Sequence, residues 1–355
     1  AGGGPTKIVA NLPYNIATPL ISNLLMGSPR PTSMVITIQK EVADRILAEP
    51  STKDYGALSV WVQSLATVRL GAGGRIQLFN QSGSSNVTVD VVGWYSNASG
   101  PNGARFHTLT PARAVNSTTG VGTTKAPVGP GATRKVDLRG KGGIPLTGSV
   151  AVALNVTAVR PTTSGSLTVF AGDRARPPMP ALSFTPGVTV SNMVVVRLPA
   201  SGVVQFFNSA GNTQLAVDVL GYWTLTASGN AGRYVPVTPA RAFDTRQFGA
   251  PQTAASREAY QIAGWDGIAH DAGAAVMNVT AVKPSSAGFL RVLPDQVCSM
   301  PGTSSVSYVL GRTVANGVFS SLSPGVQTGC AVAPGAIDVF NNVGTTHVMI
   351  DVSGY

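Results

Sequence analysis

One strand is written three times in this chain: Asn80…Val87-Thr-Val-Asp90-Val-Val-Gly93-Trp94-Tyr95, Asn208…Ala216-Val-Asp218-Val-Leu-Gly221-Tyr222 and Asn341…Met349-Ile-Asp351-Val-Ser-Gly354-Tyr355. The Asn-to-Asp spacing is ten residues in each copy and the Asp-to-Gly spacing is three. A fixed internal period restricts the fold to an array of like units, each built from the same supersecondary pieces.

Two full copies can be laid side by side. Both open on one word, Thr110-Pro-Ala-Arg113-Ala and Thr238-Pro-Ala-Arg241-Ala. Both continue through Leu154-Asn155-Val-Thr157 and Met277-Asn278-Val-Thr280, then Gly165-Ser-Leu-Thr-Val169 and Gly288-Phe-Leu-Arg-Val292. Between these words, short β-branched runs alternate with Gly, Pro and Asn, and helical i, i+3, i+4 stripes are lacking. Strands are expected over Val150–Val159, Ser166–Phe170, Met193–Leu198, Val203–Phe207 and Gln214–Leu220. Many short strands in a repeat of about 120 residues predict an all-β chain of tandem, jelly-roll-like β-sandwiches. The expected divisions are 1–63, a short α/β fragment; 64–102, the closing third of an earlier copy with its linker; 103–231 and 232–355, the two full repeats.

The closing strand has a physical reading. In Gln214–Leu220, one face carries Leu215, Val217 and Val219, and the other Ala216, Asp218 and Leu220. Both faces are largely apolar, so the strand is expected in the centre of a sheet. A carboxylate there must be hydrogen-bonded or paired. Asp90, Asp218 and Asp351 are therefore read as structural, with the recurring Arg113 and Arg241 as their expected partners. Calcium would require several oxygen ligands together, and acidic residues are too sparse here. No metal site and no cofactor are expected, since His107, His270 and His347 fall at non-equivalent repeat positions without ligand spacing.

Only 11% of the 355 residues are charged, less than half of the usual ~25%. The net charge is +10, nearly all of it on residues 64–355. The basic residues are dispersed, which reads as solubilising charge, and nucleic acid is not an expected partner. No apolar run is long enough to span a bilayer as a helix. Cys298 and Cys330 both fall in the last repeat, and two cysteines in one β-domain predict a disulfide and an oxidising compartment. Such a bridge would stabilise by about 3–4 kcal/mol in the chain-entropy view. Phe206-Phe207, Trp223 and Trp94-Tyr95 are read first as packing residues and second as a sugar-stacking platform.

From residue 64 onward the chain resembles a repeat of secreted actinobacterial proteins. The matching words are Val237-Thr-Pro-Ala-Arg-Ala-Phe-Asp-Thr-Arg246, Leu154-Asn-Val-Thr157, Gly165-Ser-Leu-Thr-Val169 and Val217-Asp-Val-Leu-Gly-Tyr222. The resemblance implies an extracellular or wall-associated module with no established catalytic residues. The first copy departs from it, with Asn116-Ser-Thr118 where the second has Asp244-Thr-Arg246.

Residues 7–63 follow another pattern. Strands are expected at Lys7–Asn11 and Ser33–Ile38, and helices at Thr18–Met26 and Lys40–Ala48. Asn11-Leu-Pro-Tyr14, Gln39-Lys-Glu-Val-Ala-Asp-Arg45 and Lys53-Asp-Tyr-Gly-Ala-Leu-Ser-Val60, in that order, resemble the ribosomal RNA adenine dimethyltransferase family. That resemblance assigns Asn11 to the exocyclic amine of a target adenine, the backbone near Pro13 to the same base, and Tyr14 to stacking on the extruded ring. It also places the S-adenosylmethionine site upstream of Ala1, so no methyltransferase activity is expected.

The sequence thus predicts a secreted, non-enzymatic structural or adhesive repeat protein of the cell surface, able to assemble head to tail. Its expected partners are copies of itself or a filament neighbour, and cell-wall polymer or polysaccharide. The alternatives are an array of carbohydrate-binding modules and an RNA adenine methyltransferase.

Overall fold

The computed structural model describes residues 7–11, 33–37, 76, 91, 94–95, 103–225, 232–265, 267–294, 300–324 and 333–355. The chain forms two compact units, one containing the first two strands and the other the described residues from Val91 onward, Tyr355 included.

In the first unit, β1 (Lys7–Asn11) runs parallel to β2 (Ser33–Thr37), with Lys7 opposite Ser33 and Asn11 opposite Thr37. Parallel neighbours need a crossover connection, which fits the α/β reading of this segment. The expected helices at Thr18–Met26 and Lys40–Ala48, and the side chains of Pro13 and Tyr14, lie outside the described residues.

The second unit holds two β-domains of one topology. The first is built from β3 (Arg105–Asn116), β4 (Thr133–Asp137), β5 (Ser149–Val159), β6 (Gly165–Ala171), β7 (Leu182–Phe184), β8 (Val190–Arg197), β9 (Val203–Asn208) and β10 (Gln214–Thr224). The second repeats this with β11 (Pro236–Asp244), β12 (Arg257–Gln261), β13 (Ala274–Val282), β14 (Gly288–Pro294), β15 (Val306–Tyr308), β16 (Val314–Ser321), β17 (Ala336–Asn341) and β18 (His347–Gly354). Among the described residues, the only helix is the single turn α1 (Thr245–Phe248).

The sheets of the first domain run β3-β10-β5-β8 and β4-β9-β6-β7; those of the second run β11-β18-β13-β16 and β12-β17-β14-β15. Counting strands within a domain, the order is 1-8-3-6 over 2-7-4-5, all antiparallel, which is the order of an eight-stranded jelly roll. Apart from β6–β7 and β14–β15, every pair in these sheets joins strands that are not consecutive in sequence, so strand order was not readable from periodicity.

Alternation along the strands builds the cores. On β10, Leu215, Val217 and Val219 point inward and are fully buried. They meet Leu154 and Val156 of β5, and Leu167, Val204 and Phe206 of the facing sheet. In the second domain, Val348, Ile350 and Val352 meet Val279, Leu290, Val292 and Ile337 in the same way.

The repeated strand word now has a structural account. The amide of Asn208 donates to the carbonyls of Val128, Gly129 and Gly211, and that of Asn341 to Gln252, Thr253 and Gly344. Each of these Asn residues is fully buried and pins two loops to the end of a strand. The Gly is required by contact rather than by φ. A Cβ on Gly221 would stand 2.5 Å from the Phe106 ring, and one on Gly354 would overlap the ring of Tyr234. The Asp lies on the outer face of its sheet.

Candidate functional site

The closing Asp residues sit in a row that crosses three strands. Asp218 on the central β10 stands opposite Arg113 on β3 and Asn155 on β5. Asp351 on β18 stands opposite Arg241 on β11 and Asn278 on β13. Neighbouring strands set such residues side by side on one face, so the repeated words Pro-Ala-Arg, Asn-Val-Thr and Val-Asp-Val or Ile-Asp-Val assemble one Arg–Asp–Asn row per domain.

In the first row, Arg113 grips Asp218 with two donors: Nε to Oδ1, and Nη2 to Oδ2 at 3.1 Å. In the second, Arg241 grips Asp351 through Nε to Oδ1, and Nη2 to Oδ2 at 3.2 Å. This is the planar fork of a bidentate Arg–carboxylate pair. The counterpart Asp90 lies outside the described residues, as do Cys298 and Cys330.

The two rows differ in cover. The Asp218 side chain is 1% exposed and Arg113 22%, against 13% for Asp351 and 37% for Arg241. The difference comes from the second β-domain, which packs its β15–β16 edge onto the outer face of the first domain's sheet. Ser304 donates its backbone N–H to Asp218 at 3.2 Å. Asn155 donates to the Ser304 carbonyl. Asn316 donates to Asn155 Oδ1 at 2.8 Å and accepts from the Met193 N–H at 2.8 Å. Ser307 N–H donates to Ser191 Oγ at 3.1 Å. Beside these polar contacts, Ala153, Met193, Leu220 and Trp223 form an apolar cluster with Val276 and Phe319. Phe106 and Phe319 stand 4.9 Å apart, and Trp223 meets Phe319 edge to face.

The Asp218 carboxyl is pushed above its ordinary value by burial, against the pull of Arg113 and of the Ser304 N–H. Asp244, beside the second row, goes the other way. It caps α1, accepting from the Arg246 backbone N–H at 3.0 Å and from the Arg246 guanidinium at 2.9 and 2.6 Å. Arg246 and then Arg241 hold its carboxyl down at about 2. In the first domain, Asn116 caps the same turn without charge, accepting from the Thr118 N–H at 2.9 Å. The neighbouring hydroxyls match as well: Ser117 accepts from the Leu215 N–H at 2.8 Å and Thr245 from the Val348 N–H at 2.9 Å.

No nucleophile–base pair appears in this arrangement. Among the described residues, no three His, Cys, Asp or Glu side chains cluster as metal ligands. Two of the aromatics read first as packing residues are seen to pack. Phe206 is fully buried in the first core, and Trp223 is covered at the domain contact. Trp94 is widely exposed. What the arrangement can do is bind another β-domain through hydrogen-bonding amides set beside apolar surface.

Asn155, Ser304, Asn316 and Phe319 carry this contact and were not singled out from sequence. A signal was present. The words Thr189-Val-Ser-Asn192 and Thr313-Val-Ala-Asn316 recur at the same place in the two copies, and each Asn donates to a carbonyl at the same loop position, Ala181 or Ser305, at 2.7 Å.

Comparison with known proteins finds a match at the other end of the chain. The ribosomal RNA adenine dimethylase family matches residues 3–72. The ribosomal RNA small subunit methyltransferase A of Caulobacter vibrioides is 52% identical over 69 residues, 19% of this chain and 27% of that protein. Its namesake from Clostridioides difficile is 57% identical over 61 residues, 17% of this chain and 21% of that protein. This chain therefore spans about a quarter of the length of the curated relatives it matches. Two solved structures also align, one described as the STIV MCP and one as the atomic structure of Sulfolobus Turreted Icosahedral Virus. Their identities are 9% and 10%, they cover 72% and 71% of this chain and 97% and 90% of those chains, and both have a TM-score of 0.19. That score does not amount to a shared fold.

Proposed function

We propose that this chain is a non-enzymatic structural or adhesive β-repeat protein of the cell surface, and that its working chemistry is the docking of one jelly roll on another. The observation that carries this reading is the use of the repeated Asp and Asn side chains. Asp218 and Asn155, which recur as Asp351 and Asn278, hold the edge of the next domain. A residue kept for catalysis would face a cleft. These face a neighbouring fold.

The sequence resemblance of residues 64–355 to secreted repeats supports an extracellular site for this work. Two experiments test it together: protease shaving of intact producing cells, and retention of the purified chain on isolated cell wall. Peptides from 103–355 released from intact cells support the reading. Exclusive recovery from the cytoplasmic fraction overturns it. The same wall-retention assay, run with soluble glycans as competitors, tests the carbohydrate-binding alternative.

A second reading rests on the 52% identity of the first segment to a ribosomal RNA methyltransferase. In that reading, Asn11, Pro13 and Tyr14 would hold an adenine. Calorimetric titration with S-adenosylmethionine decides its weight. No binding heat is expected, and saturable binding would move this reading to the front.

A further inference from the structure

We infer that the first β-domain binds a polyanion of the cell wall, phosphate- or carboxylate-bearing, through the outer face of its β4-β9-β6-β7 sheet. The inference rests on the surface reading above and names the partner and the face.

The positive charge is dispersed along the chain but not shared between the domains. Residues 103–231 carry 11 basic and 3 acidic side chains, and residues 232–355 carry 7 of each. The first domain thus holds a surplus of 8 within the chain's net +10, and its twin holds none. Charge kept only for solubility has no reason to concentrate in one of two like folds. A one-sided field of this sign draws in polyanions.

The three acids of the first domain are already taken. Asp137 pairs with Arg139, Asp173 with Arg197 and Asp218 with Arg113. Of the remaining cations, Arg134 is spent on the loop carbonyls of Thr124, Ala126 and Pro127. Lys125, Lys135, Arg160, Arg174 and Arg176 are exposed.

Lys135 and Arg176 share one face. Lys135 on β4 stands opposite Gln205 on β9, and Phe207 stands opposite Thr133 on β4 and Thr168 on β6. Lys135 and Phe207 are therefore diagonal neighbours on the outer side of the sheet. The Arg176 guanidinium lies over the Phe207 ring, 3.7 Å from its centre. Stacking spends the face of the guanidinium and leaves its in-plane N–H donors for the oxygens of an anion. Arg174 sits two residues before it, in the turn that its N–H closes onto the Ala171 carbonyl.

The twin face of the second domain is neutralised. Ala259 stands where the first domain has Lys135, and Asp338 where it has Gln205. Asp338 takes Arg257, with Nε to Oδ2 at 2.7 Å. The face on the first domain is also open. The second domain packs against β3, β8 and β10, all strands of the other sheet.

Nucleic acid fits this face less well. Proteins that hold single strands offer bare aromatic rings on which bases stack. Here Phe207 is capped by Arg176 and Phe170 is buried. A polymer of repeating anions without bases needs only the cations, and the arginine fork suits phosphate and carboxylate alike.

The test measures binding of the full chain to polyglycerol phosphate, polygalacturonate, neutral dextran and single-stranded DNA at physiological ionic strength. Binding to at least one of the two anionic polymers is expected, weakening as salt rises, with none to dextran. Which of the two binds identifies the anion. Lys135→Gln/Arg174→Gln/Arg176→Gln should lose at least about tenfold in affinity, and Arg233→Gln/Lys283→Gln/Arg312→Gln, which removes the same charge from the second domain, less than about twofold. The three positions in the first domain are exposed, and unchanged circular dichroism and melting confirm that each variant folds. No binding to either anionic polymer, equal losses in the two variants, or tighter binding to DNA than to both polymers each overturns the proposal. Cell-surface recovery is measured separately, so a failure of polyanion binding is distinguishable from a failure of the surface reading.

Discussion

Asn316 donates a hydrogen bond at 2.8 Å to Asn155 Oδ1, a fully buried contact between residues 161 positions apart in the chain. It joins two jelly rolls through the side chains that their repeated words share. The two β-domains should therefore unfold as coupled bodies. In chemical denaturation, Asn155→Ala and Asn316→Ala are each expected to cost about 1–3 kcal/mol, because each leaves a buried amide unpaired. The double variant should cost clearly less than the two costs added together, with a coupling of roughly 0.5–3 kcal/mol. Strict additivity would show that the bond contributes nothing.

The two Arg–Asp pairs should respond unequally to loss of the cation. Arg113→Ala strands a carboxylate that is 1% exposed, and breaking a buried pair in this way costs about 3–5 kcal/mol. Arg241→Ala frees a carboxylate that reaches water at 13% exposure, and about 1 kcal/mol is expected. Thermal melts of the two variants against wild type measure the difference. Equal losses would mean that the domain contact does not seal the first pair.

Acid should act on Asp244. Its folded pKa, about 2, lies below its ordinary value of 3.8, so the unfolded chain binds more protons as pH falls between these values. Its contribution, on the order of 2 kcal/mol, is present above about pH 4 and is lost as pH falls toward 2. Asp218 has the opposite sign. Burial raises its folded pKa, so its contribution declines as pH climbs above 3.8. Asp244→Asn copies the Asn116 cap of the first domain. Stability measured from pH 5 to pH 2 should lose less in this variant than in wild type, from a lower starting point at neutral pH.

The buried Asn residues that open the repeated strand should be costly to remove. Asn208→Ala and Asn341→Ala each abolish three hydrogen bonds to loop carbonyls. A loss of about 3 kcal/mol or more is expected. Hydrogen exchange should show the opening concentrated at residues 128–129 and 211–213 in one variant, and at 252–253 and 344–346 in the other. Gly221→Ala, which drives a methyl into the Phe106 ring, should cost more than the half to one kcal/mol by which glycine falls short of alanine within an ordinary strand.

The sequence alone determined the repeat, its β character and the central place of the closing strand. Those follow from local rules: period-two alternation, turn residues at regular spacing, and apolar residues on both faces of Gln214–Leu220. It also marked Arg113, Asp218, Arg241 and Asp351, because a charge between two apolar flanks must find a partner. The tertiary structure alone decided the strand order, which depends on pairings between segments far apart in the chain. It alone decided that Asp218 and Asp351, written in the same word, differ in burial, since only one carries another domain on its face. The bonds between Asn155, Ser304 and Asn316 were likewise invisible in the chain. A hydrogen bond between two folds has no periodicity of its own; it exists only where two finished surfaces meet.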